Sequence, residues 1–105
     1  MRRTGAMPVL RAASGTEYYL KRIGRFSFFE PLPVTATFSN GKYLLVNEDL
    51  VISGEGETFV EALKDLEDSI DSLVVGFQTF PEEMLSESSL KIKRELEKYF
   101  KIDTR

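Results

Sequence analysis

Apolar and polar positions change their rhythm along this chain. Residues 1–16 show no period and hold Gly5, Pro8, Ser14 and Gly15, which reads as a flexible N-terminal arm. From Glu17 to Glu30 aromatic and β-branched residues gather (Tyr18, Tyr19, Ile23, Phe26, Phe28, Phe29). They predict extended structure, with a bulge or turn at Gly24. Pro31 and Pro33 are expected to interrupt it, because proline has no N–H to give to a ladder. Val34, Ala36 and Phe38 then alternate with Thr35 and Thr37, the period of a half-buried strand. Asn40-Gly41 predicts a two-residue hairpin, since both residues of that turn need positive φ, and Tyr43-Leu44-Leu45-Val46 is the returning strand. Leu50-Val51-Ile52 reads as a short further strand, closed by Ser53-Gly54-Glu55-Gly56.

The rhythm turns helical at Thr58. Thr58 and Glu61 make a capping box, in which hydroxyl and carboxylate each satisfy a backbone amide at the helix start. Phe59, Leu63, Leu66, Ile70, Leu73, Val74 and Phe77 share one stripe, with Glu61, Lys64, Asp65, Asp68 and Ser72 opposite. This predicts an amphipathic helix over 58–76, ended by Gly76. Pro81 opens a turn, Ser86 caps a last helix, and Ile92, Leu96, Tyr99 and Phe100 form its apolar stripe. The expected fold class is α+β. A small antiparallel sheet of three to four strands carries the main helix on one face, with a C-terminal helix beside it. Residues 17–105 are expected to form one domain.

Composition narrows the chemistry. With 42% hydrophobic residues in 105, the chain can bury a core. It has no membrane-length apolar run and no secretory pattern at its start, so a cytoplasmic protein is expected. Cysteine and histidine are both absent, which removes disulfides, thiol nucleophiles and imidazole bases. Ser53 therefore has no base to activate it. Gly54-Glu55-Gly56-Glu57-Thr58 sits where an anion cradle would, but its two carboxylates oppose a phosphate and a plain strand-to-helix turn is expected. Asp49, Glu55 and Glu57 are oxygen ligands whose spacing matches no calcium loop. The aromatic residues near 18–29 suit packing better than stacking against nucleic-acid bases. No cofactor, no metal and no catalytic residue is expected.

Net charge is −3, unevenly spread: residues 1–47 carry +5, residues 48–87 carry −11 and residues 88–105 carry +3. The central block would repel a phosphate backbone, so nucleic acid is not an expected partner there. It would suit a basic protein. Asp65, Asp68 and Asp71, on the polar side of the main helix, are the candidate partner-binding face. Arg2, Arg3, Arg11, Lys91, Lys93 and Arg94 are expected on an arm and an exposed helix face.

Residues from Val34 to about Leu73 resemble the HicB-like antitoxin family. The shared pattern is a hairpin, then Glu48-Asp49-Leu50, then Gly56-Glu57-Thr58-Phe59-Val60-Glu61-Ala62-Leu63 opening a helix that continues through Lys64-Asp65-Leu66-Glu67-Asp68-Ser69-Ile70. The family's Leu-Pro-Gly-Cys run is replaced here by Leu50-Val51-Ile52-Ser53. The resemblance implies a degraded ribonuclease H fold without nuclease activity. Its implied role is to bind a small basic RNA-cleaving toxin and cover the toxin's active site. Operator binding by such proteins uses a separate C-terminal segment, and residues 81–105 read as a turn and one helix only. The expected function is thus a non-enzymatic interaction domain, with an orphan structural or homo-oligomeric module as the alternative. A homodimer or larger even assembly is expected, because a small sheet with helices on one face leaves another face or edge open.

Overall fold

In a computed structural model that describes residues 15–102, two hairpin turns with positive φ set the sheet. Its strands are β1 (Thr16–Ile23), β2 (Phe26–Ser39), β3 (Lys42–Asn47) and β4 (Ile52–Gly56), antiparallel and in chain order. Asn40 and Gly41 turn β2 into β3 at φ 53° and 77°, as both residues of a type I′ turn require. Gly24, at φ 57°, turns β1 into β2, with Ile23 facing Phe26. The expected arm lies outside the described residues apart from Gly15 and Thr16, and Thr16 already belongs to β1.

Pro31 and Pro33 do not interrupt the strand. β2 runs through both, for different reasons. The register shifts between Leu20 and Arg22 of β1, and Pro31 falls in the stretch of β2 left without partners there. In a hairpin with a two-residue turn, Ser39, Thr37, Thr35 and hence Pro33 aim their backbone at β3. The β2–β3 ladder stops at Thr35 opposite Val46, so the missing N–H of Pro33 lies one step beyond it.

The fourth strand is also displaced from its expected place at 50–52. Leu50 and Val51 lie in the turn, and the strand falls on the glycines instead. Those glycines let a helix approach. A β-carbon on Gly54 would stand 2.3 Å from the Ala62 carbonyl oxygen, and one on Gly56 would stand 2.7 Å from the Ala62 nitrogen. Helix α1 (Phe59–Thr79) therefore lies directly on β4. It starts as expected, with Thr58 accepting from the Glu61 amide while the Glu61 carboxylate takes the Glu57 amide. It does not end at Gly76 but continues to Thr79, and the Phe80 amide closes on the Gly76 carbonyl.

Ala62, Leu66, Ile70, Val74 and Phe77 of α1 face Phe26, Phe28, Leu32, Val34, Leu45 and Ile52 of the sheet in one core. A 3₁₀ turn (Glu82–Met84) leads to α2 (Glu87–Glu97), capped by Ser86 as expected. Leu96 and Ile102 enter the same core, Phe100 meets Phe26 edge to face, and the Phe29 amide donates to the Tyr99 carbonyl. Both helices thus cover one face of the sheet. Lys93 is not on an exposed helix face: it is buried, with its ammonium 2.9 Å from Glu82. Hydrogen bonding to Lys93 holds the Glu82 carboxyl below its ordinary pKa, and Arg94 adds a smaller pull in the same direction. A lowered carboxylate pKa stabilises the fold fully above the ordinary value, and the contribution is lost as pH falls through the lowered one. Acidification through that window is expected to loosen α2 first, read as protection factors (exchange corrected for its intrinsic pH dependence) falling at 87–97 while those at 62–74 hold. In the Glu82→Gln variant the protection factors of α2 should not change across that window. Among the described residues no helix is long and apolar enough to cross a membrane.

Candidate functional site

The acids of α1 are expected to form an exposed partner face, yet most are engaged within the chain. Asp65 accepts the Glu55 amide at 2.9 Å, and Ser69 donates its hydroxyl to the Ser53 carbonyl at 2.6 Å. In β4 the residues facing β3 are Ile52, Gly54 and Gly56, so Ser53 and Glu55 point their backbone outward. Side chains of α1 therefore occupy the outer edge of the sheet at β4.

Asp71 and Glu67 hold the tip of the first hairpin. Arg25 lies 2.8 Å from Asp71 and 3.2 Å from Glu67, and its backbone amide donates to Glu67 at 3.0 Å. Its guanidinium also covers the Phe26 ring at 5.0 Å. The hydrogen bond to Asp71 is the main cause raising the Arg25 pKa, opposed in part by desolvation. Gly24 is needed at this contact, because a β-carbon there would strike the Glu67 carboxylate. Of the three candidate residues, Asp68 is the exposed one without a hydrogen bond or ion pair among the described residues.

The open surface lies on the other side of the sheet. Thr35, Thr37, Leu44 and Val46 floor a concavity of about 430 Å³, with Glu17, Glu48 and Asp49 at its margin. Thr35, Thr37 and Val46 are half-buried with no element of the described residues above them, and Leu44 is exposed. The surface offers hydroxyl, methyl and carboxylate groups side by side. The missed sequence signal was the Thr35-x-Thr37 and Leu44-x-Val46 alternation, which fixes this second face as well as the core face.

The remaining candidates are dispersed. Asp49 lies in the β3–β4 turn, Glu55 on β4 and Glu57 beyond it, and no group of three acids able to hold a metal forms among the described residues. The aromatic rings pack on one another: Tyr18 on Phe59, Phe59 on Tyr43, and Tyr43 on Phe38, at 4.7–5.7 Å between centroids. Ser53 uses its carbonyl in the Ser69 hydrogen bond. Comparison of the chain with protein-family models, curated proteins and solved structures finds no match.

Proposed function

We propose that this chain is a non-enzymatic, cytoplasmic interaction domain of the HicB-like antitoxin kind, which binds a small basic RNA-cleaving protein and covers its active site. The observation that carries the reading is the outer face of the sheet, which none of the described residues covers, with carboxylates along its margin and a floor of hydroxyl and aliphatic side chains. The resemblance of the 48–70 segment and the four antiparallel strands under one long helix support it further. Basic side chains would meet Glu17, Glu48 and Asp49 at that margin. The open edge of β1 favours a second reading, an orphan module that assembles with itself.

Co-expression with a short basic protein encoded beside this one is the test. The complex is expected to hold at 0.1 M salt and to come apart toward 1 M, as the screening length falls from about 10 Å to about 3 Å. Glu48→Lys and Asp49→Lys should each weaken it, and the wild-type chain should suppress RNA cleavage by the partner. Reversal of Asp65 or Asp71 would not serve, since they hold the β4 edge and Arg25. A complex indifferent to salt and to both reversals, or RNA cleavage that continues unchanged, would leave the orphan module as the reading.

A further inference from the structure

The two edges of the sheet are treated differently. At β4 the outward Ser53 carbonyl and Glu55 amide are taken by Ser69 and Asp65 of α1. At β1 the residues facing β2 are Thr16, Tyr18 and Leu20, opposite Ala36, Val34 and Leu32. Glu17 and Tyr19 therefore aim their backbone N–H and C=O groups away from the sheet. The register itself supports this, since Tyr19 stands opposite Pro33, which has no amide to exchange. Among the described residues nothing bonds to those outward groups, and Thr16 to Tyr19 are all exposed. An unblocked row of this kind is a template for another strand.

We propose that β1 pairs antiparallel with β1 of a second copy of this chain, in a register centred on Tyr19, to make a two-fold dimer with a continuous sheet. The sequence of the strand is complementary to itself in that register. Tyr19 meets Tyr19 of the second copy across the axis. Glu17 meets Lys21 and Lys21 meets Glu17, so opposite charges face each other twice. Glu17 and Tyr19 carry their outward backbone groups at the positions where an antiparallel ladder forms its closely bonded pairs. On the helix side, Tyr18 and Leu20 fall opposite Leu20 and Tyr18 of the second copy, at the pairs where side chains approach closest. Tyr18 is 38% exposed and Leu20 half-buried, so the pairing covers apolar surface that the single chain leaves open. A register shifted by one residue would lose the charge pairing and turn the apolar side chains to the wrong face. The pairing requires no toxin partner and stands or falls apart from the antitoxin reading.

Sedimentation equilibrium of the full chain from 1 to 100 µM tests it. The wild type is expected to dimerise in this range. Glu17→Lys and Lys21→Glu each place like charges opposite one another twice and should weaken the dimer about tenfold. The double variant Glu17→Lys/Lys21→Glu restores opposite charges and should restore the dimer. Within one chain the two positions are about 13 Å apart along the strand, so a rescue reports contact between copies. Tyr19→Cys supplies a geometric check that does not depend on charge. Cα atoms of a closely bonded pair stand about 5.5 Å apart, within disulfide reach, and the chain has no other cysteine. Mild oxidation should cross-link Tyr19→Cys into a covalent dimer and leave Glu17→Cys uncross-linked. A monomer at 100 µM, a dimer unmoved by the single reversals, or a double variant that stays weak would each overturn the proposal.

Discussion

Replacing Gly54 with alanine is expected to destabilise the protein by about 3 kcal/mol, the upper range of overpacking effects. The added methyl would meet the Ala62 carbonyl oxygen at 2.3 Å, the Leu66 nitrogen at 2.4 Å and the Leu66 Cα at 2.8 Å. All three are backbone atoms, so no rotamer change can make room. Relief requires α1 to lift from β4, and lifting separates fully buried Ala62 and Leu66 from the sheet. For a domain whose whole stability is of order 10 kcal/mol, that loss is large. Gly76→Ala in the same helix is the control, because a β-carbon there meets nothing within 4 Å. It should gain about 1 kcal/mol, the ordinary difference between alanine and glycine in a helix. Urea unfolding of the two variants decides the matter. Equal midpoints would mean that the close helix–strand contact does not support the fold.

The same two glycines show which features could be read in the sequence. The turn residues Asn40-Gly41, the capping box and the apolar stripe of α1 each depend on neighbours within a few positions, and each lies where the sequence puts it. Gly76 could be taken for a helix end because glycine is common there, yet nothing in the fold demands positive φ at that point. Gly54 and Gly56 weaken a strand by propensity and so push the expected strand back to Leu50. Their spacing of two, with both on the inner face, is the mark of a strand that a helix presses on. Pro31 and Pro33 mislead for a similar reason. A proline breaks a ladder only where its nitrogen faces a partner, and that depends on where β3 stops and β1 shifts register.

The candidate site was less legible than the fold. A run of acids identifies a polar helix face, but sequence distance does not tell which acid finds a partner. Glu67 and Asp71 meet Arg25 across more than forty residues, because the hairpin tip reaches α1. Asp65 meets a backbone amide on β4, so a charge that looks available serves to close a sheet edge. Lys93 looks like one of several solvent-facing bases, although its position three before Leu96 turns it toward the core stripe. An open edge can be expected of a small sheet, but which of its residues aim their backbone outward follows only from the register of β1 against β2.

Replacing Asn47 with alanine is the second change expected to have a large effect, about 3 kcal/mol, as two backbone groups lose a partner at about 1–3 kcal/mol for each one left buried and unsatisfied. Asn47 is 3% exposed. Its side-chain amide donates to the Pro33 carbonyl at 2.7 Å, and its side-chain oxygen accepts the Leu50 amide at 2.8 Å. It thereby ties β2, just past the end of its ladder with β3, to the turn that delivers β4. That turn is under tension, since Val51 holds φ 55°, a region that β-branched residues avoid. Fully buried Leu50 is the anchor that Asn47 positions against this strain. Asn47→Asp separates the two bonds. The carboxylate can still accept from Leu50, but it faces the Pro33 carbonyl without a proton to donate. Burial beside a carbonyl raises a carboxyl pKa, so the folded variant takes up a proton that the unfolded chain does not. Stability of Asn47→Asp is therefore expected to rise as pH falls from 7 toward 5, whereas Asn47→Ala shows no such recovery. Thermal unfolding of both variants across that range checks the assignment, and parallel curves would mean that the bond to Pro33 contributes nothing.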